Sequence, residues 1–183
     1  MNRISVEEFH SSEKLPLVVV LDSVRSLYNV GSVFRTCDAF RVAEVILCGI
    51  TATPPNAEIH KTALGAEDSV SWRYFKDTME AVEALRSEGY TLLAIEQCEG
   101  STMLQDFRPQ PSSTVKESLP LRGDLEGSSY AVILGNEVKG VQQQVIDVCD
   151  GCLEIPQFGT KHSMNVSVTA GIIIWHFAEL MNR

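Results

Sequence analysis

Nothing in the 183-residue chain approaches the roughly 18 consecutive apolar residues that a bilayer-spanning helix needs. The opening stretch MNRISVEEFHSSEK also lacks the apolar core of a secretion signal. A soluble, cytoplasmic protein is therefore expected. Cysteine is sparse: Cys37, Cys48, Cys98, Cys149 and Cys152 form an odd set without the spacing of a disulfide framework, in keeping with a reducing compartment. Within CDGC there is neither a second cysteine pair nor a nearby histidine couple to complete a zinc site. Cys149 and Cys152 are expected instead as small buried residues where a helix ends and a strand begins. Positive charge is short too, with 15 Lys and Arg against 24 Asp and Glu and a net charge of −9. That balance excludes a protein that grips nucleic acid by its overall field, so any polyanionic partner must be met by a local patch. Residues 1–41 hold Arg3, Lys14, Arg25, Arg35 and Arg41 against Glu7, Glu8, Glu13, Asp22 and Asp38, so all the excess acid lies after position 41.

What is present is enough apolar material, 44% of residues, for one compact domain spanning 1–183. The chain alternates buried-type strands with helical periodicity. Strands are expected at 15–23, 43–49, 69–75, 91–98, 130–137 and 152–156. In NVGSVFRTCDAFRV, Asn29 is the expected helix cap and Val30, Val33, Phe34, Cys37 and Phe40 form one stripe, with Arg35 roughly opposite. Further helices are expected at 77–90, closed by Gly89, and at 141–149 and 163–181. Residues 99–128, with three prolines, are expected as an ordered excursion. The last helix is apolar nearly all round, so other helices or a second subunit must cover it. This alternation predicts an α/β domain with a largely parallel sheet, and ligands in such sheets sit at the carboxyl ends of the strands.

The familiar nucleotide loops are missing. GNEVKG at 135–140 is followed by Val141 and Gln142 instead of Lys and Ser or Thr, and no G-x-G-x-x-G follows a strand. Three other strand-to-helix loops combine glycine with polar groups: NVGSVFR at 29–35, ILGNEVKG at 133–140 and IPQFGTKHSMNVSVTAG at 155–171. In composition, order and spacing they resemble the three motifs of the SpoU (TrmH-like) branch of the SPOUT RNA methyltransferases, over about Leu17 to Glu179. The resemblance implies a Rossmann-like SPOUT sheet with a C-terminal deep trefoil knot, a homodimer, and S-adenosylmethionine-dependent methylation of a ribose 2'-hydroxyl in tRNA or rRNA. It implies neither a metal nor a membrane partner. Two alternatives are a catalytically idle RNA-binding dimer with the same fold and a methyltransferase of a non-RNA substrate.

Carried onto this chain, the resemblance assigns catalysis to Asn29, Arg35, Glu137, Ser163 and Asn165. It assigns the cofactor to Leu134, Gly135, Ile155, Pro156, Ser163, Met164 and Asn165, and RNA contact to Arg35 and Lys161. A 2'-hydroxyl is a poor nucleophile whose developing alkoxide needs support and in-line placement. The family's arginine is commonly given the role of general base, but a guanidinium hardly deprotonates. Phosphate positioning and alkoxide stabilisation are the expected roles of Arg35. Glu137 is expected to orient Asn29 or Arg35 or a ligand hydroxyl, Gly135 to let the chain approach the cofactor, and Ser163 to cap the last helix. Met164 stands where family members often have Leu, and His162 falls in the variable part of its loop. His60 is expected to be structural, as is Tyr28, taken as a buried aromatic before Asn29.

Overall fold

The computed structural model describes residues 4–109, 129–161 and 163–181. Among the described residues, seven strands form one sheet: β1 (Leu15–Asp22), β2 (Val42–Cys48), β3 (Trp72–Phe75), β4 (Thr91–Ile95), β5 (Thr102–Met103), β6 (Tyr130–Leu134) and β7 (Gly151–Glu154). Their order across the sheet is β3-β2-β1-β6-β4-β7-β5, and every pairing is parallel. The helices are α1 (Val6–Ser11), α2 (Leu27–Ala39), α3 (Ala57–Ala63), α4 (Ala66–Ser69), α5 (Thr78–Ser87), α6 (Gln143–Ile146) and α7 (Val166–Met181). The expected α/β class with a parallel sheet is therefore what the chain forms.

The period-2 geometry of β1 explains why its residues are almost uninterruptedly apolar. Leu17, Val19 and Leu21 face one side, packing in a cluster with Val33, Phe34 and Cys37 of α2 and Ile173 and Phe177 of α7. Val18 and Val20 face the other, with Ala81, Val82 and Leu85 of α5. Both faces of a parallel sheet are covered, which requires apolar side chains at consecutive positions. Burying each such Val or Leu stabilises the fold by about 1.5–3 kcal/mol before chain entropy is counted.

Several boundaries move from their expected places. Helix α2 starts earlier than Asn29: the cap is Ser26, whose side chain accepts from the Asn29 N–H at 3.3 Å. Asn29 thus lies inside the first turn, with its side chain free for other work. Gly31 in α2 is fixed by packing, because a Cβ there would overlap Ile59 O and Thr62 Oγ1 of α3. Helix α3 and the short α4 occupy a stretch with no predicted element, and β3 begins at Trp72 because α4 takes residues 66–69. Helix α6 is only four residues, against nine expected. After it, Asp150 must enter the sheet, donating its N–H to Leu92 O at 2.8 Å and accepting from Leu92 N–H at 2.8 Å. In the excursion, β5 and a 3-10 turn (Leu104–Asp106) add a strand to the sheet edge, while residues 110–128 lie outside the described residues.

Helix α7 begins at Val166, and its first amides are served by Asn165, which replaces Ser163 as the cap. Asn165 Oδ1 accepts from Ser167 N–H at 2.9 Å and from Val168 N–H at 3.4 Å. Its buried side, Val166, Ala170, Ile173, Ile174, Phe177 and Ala178, is covered from within the chain, while Val168 and Trp175 stay exposed. Among the described residues no helix is long and apolar enough to cross a membrane.

Candidate functional site

The strand order reverses where β1 meets β6, and the loops leaving their carboxyl ends face each other. This is the place where α/β sheets bind ligands. The β6 loop is short and folded back on itself. Asn136 and Gly140 exchange both backbone hydrogen bonds, at 3.0 and 2.9 Å, and Asn136 Oδ1 accepts from the N–H groups of Val138 and Lys139 at 3.0 and 3.1 Å. Gly135 has to be glycine because a Cβ would overlap the backbone of Gly140 and Val141. The loop's own crossing thus accounts for this glycine as directly as approach to a cofactor does. Asn136 Nδ2 donates to Ser23 O at 2.8 Å and ties the loop to the end of β1.

Glu137 makes the second tie. Its Oε2 accepts from Arg25 N–H at 3.0 Å, while Oε1 accepts from Ser26 N–H at 3.1 Å and from Asn29 Nδ2 at 3.2 Å. The carboxylate sits at the N-terminus of α2, where backbone amides are unsatisfied and the helix dipole favours negative charge. Burial alone pushes its carboxyl pKa up. The N–H groups of Arg25, Glu137 itself and Ser26, with the Asn29 amide, outweigh that and hold it below the usual glutamate value. Asn29 Oδ1 in turn accepts from Asn165 Nδ2 at 3.1 Å. Residues from three distant parts of the sequence are thereby joined in one chain, Glu137 to Asn29 to Asn165.

That chain fixes both amide orientations. The Asn29 and Asn165 nitrogens each spend one N–H within it, leaving the other for a ligand oxygen. Of the expected partners of Glu137, the structure selects Asn29. Arg35 lies six residues further along α2, about 9 Å up the axis at 1.5 Å per residue, and is exposed. Among the described residues it makes no hydrogen bond or ion pair with Glu137, Asn29 or Asn165.

Beside this chain lies a cavity of about 410 Å³. Leu134, Gly135, Ile155, Ser163 and Met164 line it, as does Glu137, whereas Pro156 and Asn165 do not. Its volume falls in the range of about 300–1,000 Å³ usual for small-molecule sites. Leu134, Ile155 and Met164 supply apolar wall for a flat ring, and Glu96 and Glu137 supply acceptors. Those features fit a nucleoside carrying a cationic substituent, the chemistry of S-adenosylmethionine. Ser163 and Lys161 are exposed, and His162 lies outside the described residues.

Other residues behave differently from expectation or were not expected at all. Tyr28 is 49% exposed and donates its hydroxyl to Glu58 at 2.6 Å, so it is not a buried aromatic. His60 is exposed, bonded through Nδ1 to Glu67 at 2.6 Å. Burial pushes the Cys149 thiol up to about 11 and that of Cys152 up to about 12, and both are half-buried, close to the expected reading. No group of three or more His, Cys, Asp or Glu among the described residues is arranged to hold a metal. Ser26, Asn136 and Glu96 went unrecognised in the sequence. The signal for Glu96 was there, an acid ending an otherwise buried strand.

Comparison with known proteins bears on this geometry. A sequence profile of the SpoU rRNA Methylase family matches residues 16–175. The chain is 30% identical over 173 residues to the tRNA (guanosine(18)-2'-O)-methyltransferase of Thermus thermophilus, covering 94% of this chain and 79% of that protein. It is 27% identical over 174 residues to the 23S rRNA (guanosine-2'-O-)-methyltransferase RlmB of Neisseria meningitidis, again over 94% of this chain but only 62% of the relative's length. The AdoMet-bound rRNA methyltransferase from Sinorhizobium meliloti superposes with a TM-score of 0.75 at 22% identity, over 91% of this chain and 60% of that one. The profile takes in the β1 end, the β6 loop and the start of α7 together, and the chain belongs to the SpoU (TrmH-like) family of the SPOUT class.

Proposed function

We propose that the protein is an S-adenosylmethionine-dependent methyltransferase acting on the 2'-hydroxyl of a ribose in tRNA or rRNA. The observation that carries the proposal is the Glu137–Asn29–Asn165 chain standing beside a nucleoside-sized cavity. The relatives' names, which give guanosine 2'-hydroxyls in tRNA and rRNA as their targets, support the same acceptor.

When bound, S-adenosylmethionine supplies a methyl carbon made electrophilic by the sulfonium. Leu134, Gly135, Ile155, Ser163 and Met164 would hold its nucleoside, with Pro156 just outside the cavity lining. The spare N–H groups of Asn29 and Asn165 orient the acceptor oxygen and stabilise the negative charge that grows on it as its proton passes to solvent water. Glu137 keeps both amides in that orientation. Arg35 forks onto an RNA phosphate, and Lys161 adds a second backbone contact. In a chain of net charge −9 these local cations must supply the attraction. We further propose that the C-terminal third threads a deep trefoil knot, supported by β6 and β7 flanking β4 on opposite sides. A homodimer covers exposed Val168 and Trp175 of α7, and the protein works in the cytoplasm.

Thermal unfolding with increasing S-adenosylhomocysteine, on samples sized by light scattering, tests this. The midpoint should rise with ligand concentration as mass action requires, on a particle of two chains. No rise at millimolar ligand, with or without RNA, would overturn the cofactor assignment. A particle of one chain at every dilution would overturn the dimer.

A further inference from the structure

Glu96, the residue after β4, has no place in the scheme above. It is half-buried and lines the cavity against the end of the β6 loop. Each carboxylate oxygen is fixed by one backbone amide: Oε1 accepts from Gln97 N–H at 3.0 Å and Oε2 from Val141 N–H at 3.1 Å. The loop is shaped to lie against it, since Gly140 has φ +70° and a Cβ there would overlap Oε2. A carboxylate offers about four lone-pair directions, so two remain after both amides are counted. No Lys, Arg or His among the described residues is ion-paired with it. The cavity wall thus presents two oriented acceptor oxygens, held rigid by the backbone, each with lone-pair capacity beyond its one amide.

We propose that Glu96 recognises the sugar of the bound nucleoside, accepting hydrogen bonds from its vicinal 2'- and 3'-hydroxyls. This rests on the cavity being the S-adenosylmethionine site. A vicinal diol offers two O–H donors on adjacent carbons, matching the two in-plane lone pairs. An ammonium group needs no such pairing of acceptors. An acid at a strand end bound to a nucleoside ribose is also the arrangement that dinucleotide-binding sheets use. Glu96 is then a specificity residue, selecting ribonucleosides over deoxynucleosides.

The test is displacement of labelled S-adenosylhomocysteine by adenosine, by 2',3'-dideoxyadenosine and by adenine, from the wild type and from Glu96→Gln. The wild type should prefer adenosine over the dideoxynucleoside by about tenfold or more, the effect of hydrogen bonds to a charged acceptor. Glu96→Gln should bind those two within about twofold of each other and keep the wild-type affinity for adenine. A wild type that does not distinguish the two nucleosides overturns the inference whether or not the variant folds. So does a variant that keeps the preference, that loses adenine affinity in parallel, or that loses S-adenosylhomocysteine affinity while adenosine is unaffected. Failure of S-adenosylhomocysteine to bind the wild type at all is a different result, and counts against the cofactor assignment itself.

Discussion

Replacing Arg35 by alanine should leave the fold and S-adenosylhomocysteine affinity as they are while methyl transfer to RNA falls by about a hundredfold or more, the loss expected when a contact that positions the acceptor is removed. The structural ground is its isolation. Arg35 is exposed on α2, away from the buried stripe of Val30, Val33, Phe34 and Cys37, so truncating it opens no cavity. It also lines no part of the cofactor cavity. Arg35→Lys should recover little, because a point charge cannot reproduce the bidentate fork. Initial rates with labelled S-adenosylmethionine, alongside calorimetry for the cofactor product, measure both halves. Full activity in Arg35→Ala would reduce this residue to a solvated helix charge.

The second large effect is expected at Glu137, and it should be visible in stability as well as rate. Glu137→Gln keeps the shape but turns one acceptor oxygen into an NH2, which then faces either Arg25 N–H or the Ser26 and Asn29 donors. Losing this cap should cost about 1–2 kcal/mol. The freed Asn29 amide should lower the transfer rate by about a hundredfold, as misplacement of a positioning group does. The pH dependence has a definite sign. The Glu137 carboxyl is held below its usual value of 4.5 in the folded protein, so its stabilisation is complete above that value and is lost as pH falls through the lower folded one. Unfolding midpoints of wild type and Glu137→Gln should therefore differ most near neutrality and converge as pH falls below 4.5 and through the lower folded value. A gap independent of pH would mean that the charge on Glu137 does no work.

Much of the fold was legible because the two faces of the sheet are both buried. Consecutive apolar residues in LPLVVVLD, VAEVILC and YAVIL leave little choice but a doubly covered parallel strand. The helix starts were harder. Asn29 and Ser163 are as good caps by residue type as Ser26 and Asn165, and only the tertiary partners decide. Glu137 and Asn165 draw Asn29 into a side-chain chain, so the capping task falls to Ser26, and Asn165 caps α7 while reaching back to Asn29. No periodicity encodes contacts across more than a hundred residues. The three site segments were recognisable by resemblance, yet Glu96 and Asn136 were not, because what marks them is tertiary: Glu96 Oε2 accepts from Val141 N–H and Asn136 Nδ2 donates to Ser23 O. Helix α3 escaped notice since its buried face is only Ile59 and Ala63, too short a stripe to register.

Alkaline hydrolysis of the methylated product distinguishes a ribose oxygen from a base atom as the acceptor. RNA from cells lacking the protein is incubated with the enzyme and methyl-labelled S-adenosylmethionine, then hydrolysed in alkali. Alkaline cleavage needs a free 2'-hydroxyl to attack the neighbouring phosphorus, so a 2'-O-methyl group protects the bond next to it. With a ribose acceptor the label appears in alkali-stable dinucleotides. Label recovered in mononucleotides would place the methyl group on a base and overturn the 2'-O assignment.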